Sequence, residues 1–143
     1  MCAVVDANTC HEIVGPHTTP AGRQFARWLD RGGVLVVGGR LTREISANLN
    51  VDRYLVALGT AGRLRILNED SIRREVARLT AAGSCVSNDH HVLAVASLGG
   101  ATLLFSRDQN LRRDYLNRQL TGIRGRVYQG QRNLLRRDTC RRQ

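Results

Sequence analysis

Short, unbroken apolar runs recur along the chain, and polar or glycine-containing segments separate them. Such runs are typical of strands that are buried on both faces of a parallel sheet. The runs predict strands at 2–5, 34–37, 63–67 and 101–105, with a fifth strand at 125–129 as the least certain in pattern.

The segments between these runs have helical periodicity. Phe25, Trp28 and Leu29 share one helical face, and Thr19 before Pro20 is a typical helix start. Either Asn88 or Ser87 is expected to cap a later helix. The helices are predicted from about residue 20 to 31, from about 41, then over 51–61, 69–82, 89–99 and 110–118. Alternating strands and helices predict an α/β three-layer sandwich around a central, mostly parallel sheet of four or five strands.

The charge distribution points to nucleic acid. The net charge is +10, the chain contains 22 arginines and no lysine, and 11 arginines but three acids follow residue 106. Mechanisms that need a P-loop or Schiff-base lysine are therefore excluded. A basic surface of this kind favours a nucleic-acid partner, the alternative being a solvated surface. Residues 130–143 are expected to form a basic C-terminal tail or a short helix that packs Leu134 and Leu135.

Cysteine spacing and hydropathy indicate an intracellular protein. Cys2, Cys10, Cys85 and Cys140 form no close pairs, which argues against a zinc site and favours free thiols. The N-terminus does not resemble a signal peptide, and no apolar stretch reaches the roughly 20 residues that a membrane span needs. We therefore expect a cytoplasmic location and no membrane partner.

Four acids are positioned to meet at one edge of the predicted sheet. Asp6 ends the first strand, Asp108 follows the fourth, Asp89 begins a helix, and Glu44 lies early in the helix after the second strand. Ligands bind at the carboxyl ends of parallel strands. Clustered carboxylates repel one another unless a cation lies between them, and oxygen ligands suit Mg²⁺ or Mn²⁺. The sequence therefore predicts a divalent metal site.

The motifs around these acids resemble those of PIN-domain ribonucleases. They are VVDAN at 4–8, LTRE at 41–44, NDHHVLAVA at 88–96 and SRDQNL at 106–111, in the family's order. The resemblance extends over about residues 3–129. By position it implies that Asp6, Glu44, Asp89 and Asp108 are the catalytic, metal-coordinating acids.

The same resemblance assigns supporting positions. Ser106 matches a family hydroxyl residue and Asn8 a polar residue near the first acid. Many members have an acid near Asn110, where this chain has an amide. Asp114 is either a substitute for that acid or an acid on the helix surface.

Histidines and arginines near the acids are weighed separately. Neighbouring helical residues point about 100° apart, so His90 and His91 cannot both face one metal. His91 is interpreted as a packing or supporting residue and His90 as solvent-facing. Arg43, Arg107 and Arg112 are candidates for phosphate contacts, the alternative for each being a surface charge.

The leading hypothesis is a metal-dependent endoribonuclease in residues 1–129, followed by the basic tail at 130–143. Similarity to single-domain PIN toxins implies RNA as substrate, an antitoxin partner and a homodimer. The alternatives are a catalytically impaired nucleic-acid-binding module, and a DNA nuclease or phosphatase on the same scaffold.

Overall fold

Five parallel strands form one sheet in the computed structural model, which describes residues 2–135. The strand order is β3-β2-β1-β4-β5. The strands are β1 (Cys2–Val5), β2 (Val34–Val37), β3 (Leu64–Ile66), β4 (Leu103–Phe105) and β5 (Arg126–Tyr128). The predicted α/β sandwich with a central parallel sheet is thus confirmed, and so is the fifth strand.

Helices connect the strands in chain order. They are α1 (Pro20–Arg31), α2 (Gly39–Ser46), α3 (Leu49–Thr60), α4 (Glu69–Ala82), α5 (His90–Gly99), α6 (Gln109–Leu116) and α7 (Arg118–Thr121), with short 3-10 helices at Cys10–Glu12 and Arg132–Leu134. Because parallel strands need right-handed crossovers, the reversal of strand order after β3 places α1 and α3 on one face and α4 to α7 on the other.

Strand β1 lies at the centre of the sheet. Its Ala3 is paired with Leu35 of β2 on one side and with Leu103 of β4 on the other. All four β1 residues are buried, and α5 packs against β1. An apolar run without alternation is the expected sequence for a strand covered on both faces.

Aromatic side chains fill the space between α1 and the sheet. The Phe25 ring lies 5.2 Å from that of Phe105 and 5.6 Å from that of Tyr128, centroid to centroid. The Tyr128 hydroxyl donates to the Ala21 carbonyl at 2.8 Å. These contacts join α1 to β4 and β5, so the edge strand β5 is fixed to the core.

Local capping explains where helix boundaries differ from those predicted. Helix α3 begins two residues early because the Asn48 side chain accepts from the amides of Asn50 and Val51. Asn117 ends α6 and caps α7, so the single helix predicted over 110–118 is divided. The cap residue of α5 is Asp89, which corrects the assignment to Asn88 or Ser87.

Leu134 is buried in the final 3-10 helix and Leu135 packs against the core, whereas residues 136–143 of the predicted tail lie outside the described residues.

Cys10 and Cys85 are free thiols. Cys2 is disulfide-bonded, so the expectation of free thiols was wrong there. Between residues 2 and 135, the helices lack the length and apolarity needed to cross a bilayer.

Helix α1 packs so closely against the preceding segment at position 22 that glycine is required there. A Cβ atom on Gly22 would lie 1.7 Å from the Glu12 carbonyl oxygen. We expect Gly22→Ala to lower the free energy of unfolding by about 2–3 kcal/mol, because backbone must move to admit the methyl group. Urea denaturation followed by circular dichroism measures this.

The matched control is Gly59→Ala near the end of α3, where the added Cβ would lie 3.7 Å from Leu64 Cδ2, an ordinary contact. Replacing a helical glycine that has room should raise stability by about 0.5–1 kcal/mol. Equal effects of the two substitutions would contradict the packing described for Gly22.

Candidate functional site

Asp6 follows the central strand and is almost completely buried, with 3% of its surface exposed. Its amide donates to the Phe105 carbonyl at 3.1 Å, which continues the β1–β4 pairing by one residue. The sheet therefore fixes the backbone of Asp6, and its side chain lies at the carboxyl edge. The first acid predicted from the sequence is at the predicted edge.

Ser106 connects Asp6 to Asp108. The Ser106 hydroxyl donates to Asp6 Oδ2 at 3.2 Å, and its oxygen accepts from the Asp108 amide at 3.1 Å. Asp108 in turn caps α6, because Oδ1 accepts from the amides of Asn110 and Leu111. One fully buried hydroxyl thus couples the ends of two adjacent strands.

Asp89 occupies the cap position of α5 without serving as a side-chain cap. Its backbone amide donates to Ser87 Oγ at 2.9 Å. Within residues 2–135 its carboxylate has no hydrogen bond or ion pair. An acid at a helix start usually satisfies backbone amides, so this carboxylate is left available for another ligand.

Asp114 holds the turn that leads to Asp89. It is 2% exposed, and its two oxygens accept from the amides of Val86 and Ser87 at 2.9 and 2.8 Å. Asp114 is therefore not an acid on the helix surface, which corrects that alternative. Both of its oxygens are used to fix the turn.

The carboxylates of Asp89 and Asp108 affect the pKa of Asp6 at this edge. The pKa of Asp6 is raised, first by burial, and further by the negative charges of Asp89 and Asp108. The hydrogen bonds from Ser106 and from the backbone at Asn8 lower it, but less than burial raises it. The N-termini of α5 and α6 also face this region and favour negative charge. The carboxylates of Asp6, Asp89 and Asp108 therefore give this edge of the sheet an excess of negative charge.

Glu44 is held apart from this repulsion. Its Oε1 accepts from Arg40 Nε at 2.7 Å, and its Oε2 lies 3.3 Å from His91 Nε2. The charges of Asp89 and Asp108 thus reach Asp6, whereas Glu44 lies on α2 with its charge paired. His91 is buried and supports Glu44, in agreement with its interpretation as a supporting residue.

The donor set fits a hard divalent cation by its chemistry. Asp6, Asp89 and Asp108 provide carboxylate oxygens, none of them paired with a basic side chain in the described part of the chain. Hard cations prefer such oxygens. No three side chains among His, Cys, Asp and Glu of residues 2–135 are arranged to ligate a metal as they stand.

Arg107 lies beside Asp108 but pairs elsewhere. Its Nε and Nη2 contact the two oxygens of Glu12 at 3.1 and 2.9 Å, and its guanidinium lies 5.6 Å from the centroid of the Phe105 ring. This pair lowers the pKa of Glu12. Arg107 therefore joins the segment after β1 to the end of β4.

The remaining predicted positions surround the acids. Asn8 and Asn110 are exposed, Arg112 is partly exposed on α6, and Arg43 pairs with Glu69 at 3.0 Å. His90 is partly buried, and its Nδ1 lies 2.9 Å from Thr80 Oγ1. His90 thus keeps partial solvent exposure, and its ring also has a hydrogen-bond partner in Thr80.

Glu12 is a residue that the sequence did not single out. It is 5% exposed and accepts from Arg107 and from the Thr19 hydroxyl, the latter at 2.7 Å. Its only signal in the sequence is an acid in a loop of mixed composition, and its partner Arg107 is 95 residues away.

Comparison of folds gives one informative likeness. The crystal structure of VapBC2 from Rickettsia felis bound to a DNA fragment from their promoter contains a chain of similar fold. The TM-score is 0.54 at 14% identity, over 90% of this chain and 100% of that chain. FitAcB from Neisseria gonorrhoeae is also similar, with a TM-score of 0.47, 16% identity, and coverage of 90% and 97%.

No protein-family model and no curated protein matches the chain. At 14% identity the likeness to VapBC2 establishes a shared fold, the PIN-like arrangement expected from the motifs.

The raised pKa of Asp6 predicts a stability effect. An acid whose pKa is higher in the folded state contributes stability below its unfolded pKa and loses it as pH rises. Asp6→Asn removes the buried charge, so the metal-free protein should become more stable at pH 7. At pH 3 the gain should disappear because Asp6 is then protonated. Urea denaturation in EDTA at both pH values measures this.

Asp52→Asn on α3, at a partly exposed acid whose charge does not affect the pKa of Asp6, is the control and should change little at either pH. A loss of stability for Asp6→Asn at pH 7 would show that the ionised carboxylate contributes to folding, contrary to the repulsion described above.

Proposed function

We propose that the protein is a metal-dependent endoribonuclease of the PIN type. The observation that supports this most strongly is that buried Asp6, at the carboxyl edge of the sheet, has a pKa raised by burial and by the negative charges of Asp89 and Asp108. The fold shared with VapBC2 adds support at the level of architecture. A cluster of this kind is costly without a cation, and it is placed where ligands of parallel α/β sheets bind.

The proposed cofactor is Mg²⁺ or Mn²⁺, held by Asp6, Asp89 and Asp108, with Glu44 joining if it leaves Arg40. Such a cation lowers the pKa of a bound water and stabilises charge on a phosphodiester. Of the side chains that could replace this chemistry, lysine is absent from the chain, and Cys10 is buried with a raised pKa.

The protein's own part in catalysis is to position these carboxylates. Ser106 fixes Asp6 and Asp108 relative to each other, and Ser87 with Asp114 fixes the turn before Asp89. Support of this kind holds ligands in a productive orientation. The helix N-termini at Asp89 and Asp108 favour the negative charge of the phosphate that is cleaved.

RNA binding is proposed to depend on arginine. Arg43 and Arg112 lie at the margin of the site and are exposed enough to reach a phosphate. Arg107 would have to leave Glu12 to do so, which makes it the weakest of the three candidates. Contacts of this type make affinity fall with salt.

The proposed partners follow from the resemblance to PIN toxins. We propose a cognate antitoxin, a homodimer and a cytoplasmic location, where RNA substrates occur. The shared fold with VapBC2 is consistent with the toxin–antitoxin assignment.

RNA cleavage tests the proposal directly. The parent protein should cut single-stranded RNA in Mg²⁺ or Mn²⁺ and stop in EDTA. Asp6→Asn and Asp108→Asn should each lose more than the roughly 10–100-fold that removal of an outer-shell partner costs. Asp52→Asn is the charge-matched control. Parent-like cleavage by both site variants would contradict the assignment, and preferential cleavage of DNA would favour the alternative DNA nuclease.

A catalytically impaired binding module is the second candidate, favoured by the amide at Asn110 and by the lack of ready ligand geometry in residues 2–135. Calorimetric titration with Mn²⁺ separates the two functions. We expect a saturable site in the parent that Asp6→Asn weakens and Asp52→Asn preserves. RNA binding without a saturable Mn²⁺ site would support the binding module.

A further inference from the structure

A cavity of about 430 Å³ is lined in part by Asn88 and His90, the residues on either side of Asp89 in the chain. It lies between the start of α2, the exposed side of α4 and the start of α5. Its lining includes Arg40, Arg43, Ile72, Arg73, Val76 and His90. The volume falls within the roughly 300–1,000 Å³ typical of pockets for small ligands.

The cavity combines an apolar floor with a basic rim. Ile72 is 4% exposed and Val76 is partly buried, so both present aliphatic surface. Arg40, Arg43 and Arg73 outnumber Glu69, the one acid in the lining. The rim therefore has a positive balance, which suits a ligand that joins an apolar ring to a phosphate.

The three arginines are free to exchange partners. Their ion pairs, with Glu44, Glu69 and Asp70, are solvent-exposed, and the arginine side chains are 67%, 66% and 73% exposed. Exposed pairs contribute only about 0–1 kcal/mol each, whereas a phosphate forms strong charge-assisted hydrogen bonds with arginine.

Two lining residues connect the cavity to the region of the acids. Asn88 lines it and directly precedes Asp89, and His91 lines it while contacting Glu44 at 3.3 Å. A strand whose phosphate lies at the acids would therefore place a neighbouring nucleotide at the cavity.

We propose that this cavity binds one unstacked nucleotide of a single-stranded RNA, next to the phosphate that is cleaved. The base rests on Ile72 and Val76, and the arginines hold its phosphate. The His90 ring, fixed by Thr80, provides a surface for stacking, and the Asn88 amide can pair with a base edge. A base inside a duplex is stacked and cannot enter, so single strands are selected. The assignment to RNA rests on the proposed function.

Oligonucleotide binding without metal tests the cavity separately from catalysis. Fluorescence anisotropy in EDTA measures the affinity of labelled eight-nucleotide U and A strands and of an eight-unit abasic phosphate strand. The variants are Arg43→Ala with Arg73→Ala, and Val76→Phe, which fills the cavity. The control is Arg27→Ala with Arg53→Ala, two exposed arginines on the opposite face of the sheet. Thermal unfolding verifies that each variant is folded.

Removal of the Arg43 and Arg73 side chains should weaken binding of all three strands by about tenfold or more. The slope of affinity against salt should flatten by about 0.7 for each phosphate that is no longer neutralised. Val76→Phe should weaken the base-bearing strands by about fivefold or more, as removal of one stacked base predicts, and leave the abasic strand unchanged. If Val76→Phe does not fold, the arginine pair still decides the outcome.

If the cavity variants bind the three strands as tightly as the control pair does, the proposal is overturned. The cavity would then be open to a protein partner instead. Weakening of all strands equally by Val76→Phe would also overturn it, because no base would then be bound there. If the strands bind as expected but no RNA is cleaved, the proposed function is refuted and the proposal for the cavity still holds. A protein that cleaves while its variants bind normally refutes only the cavity.

Discussion

The burial of a charged residue at the end of the central strand is the constraint on which the site depends. Strand β1 is paired on both sides and covered on both faces, so the residue after it cannot reach bulk water. That residue is Asp6, and Asp89 and Asp108 add repulsion to the cost of its burial. Ser106 and the helix N-termini offset only part of this cost. A fold that keeps such a carboxylate gives up stability for binding or chemistry.

Two other buried acids show what a structural carboxylate looks like in this protein. Asp114 uses both oxygens on backbone amides, and Glu12 is paired with Arg107 and bonded to Thr19. Their charges are satisfied, and the pKa of Glu12 is lowered rather than raised. Burial alone therefore does not distinguish a functional acid here. Asp6 differs from both, because in residues 2–135 it combines burial and like-charge neighbours with the lack of a basic partner.

The parts of the fold and site that follow from local pattern were predictable. The apolar runs located the strands, and parallel strands bring their carboxyl ends to one edge, so the position of Asp6 and Asp108 at that edge was predictable without a structure. Glu12 and the role of Asp114 were not, because their partners lie 95 and 27–28 residues away. The pairing of Glu44 with His91, across 47 residues, is also a product of packing. Sequence motifs identify which acids are near the edge, but tertiary contacts decide which remain unpaired.

The proposed nuclease function poses a conflict, which the distribution of arginine resolves. Phosphates are attracted by cations, yet an arginine paired with Asp6 or Asp89 would occupy the place of a metal. Here the nearby arginines are paired with acids outside the group of three: Arg40 with Glu44, Arg43 with Glu69 and Arg107 with Glu12. These pairs keep basic side chains off the central carboxylates while leaving positive charge at the margin. The exposed pairs are weak enough to open for a phosphate, whereas the pair at buried Glu12 is part of the framework. The acids at the centre and the arginines around them are therefore complementary parts of one proposed binding surface.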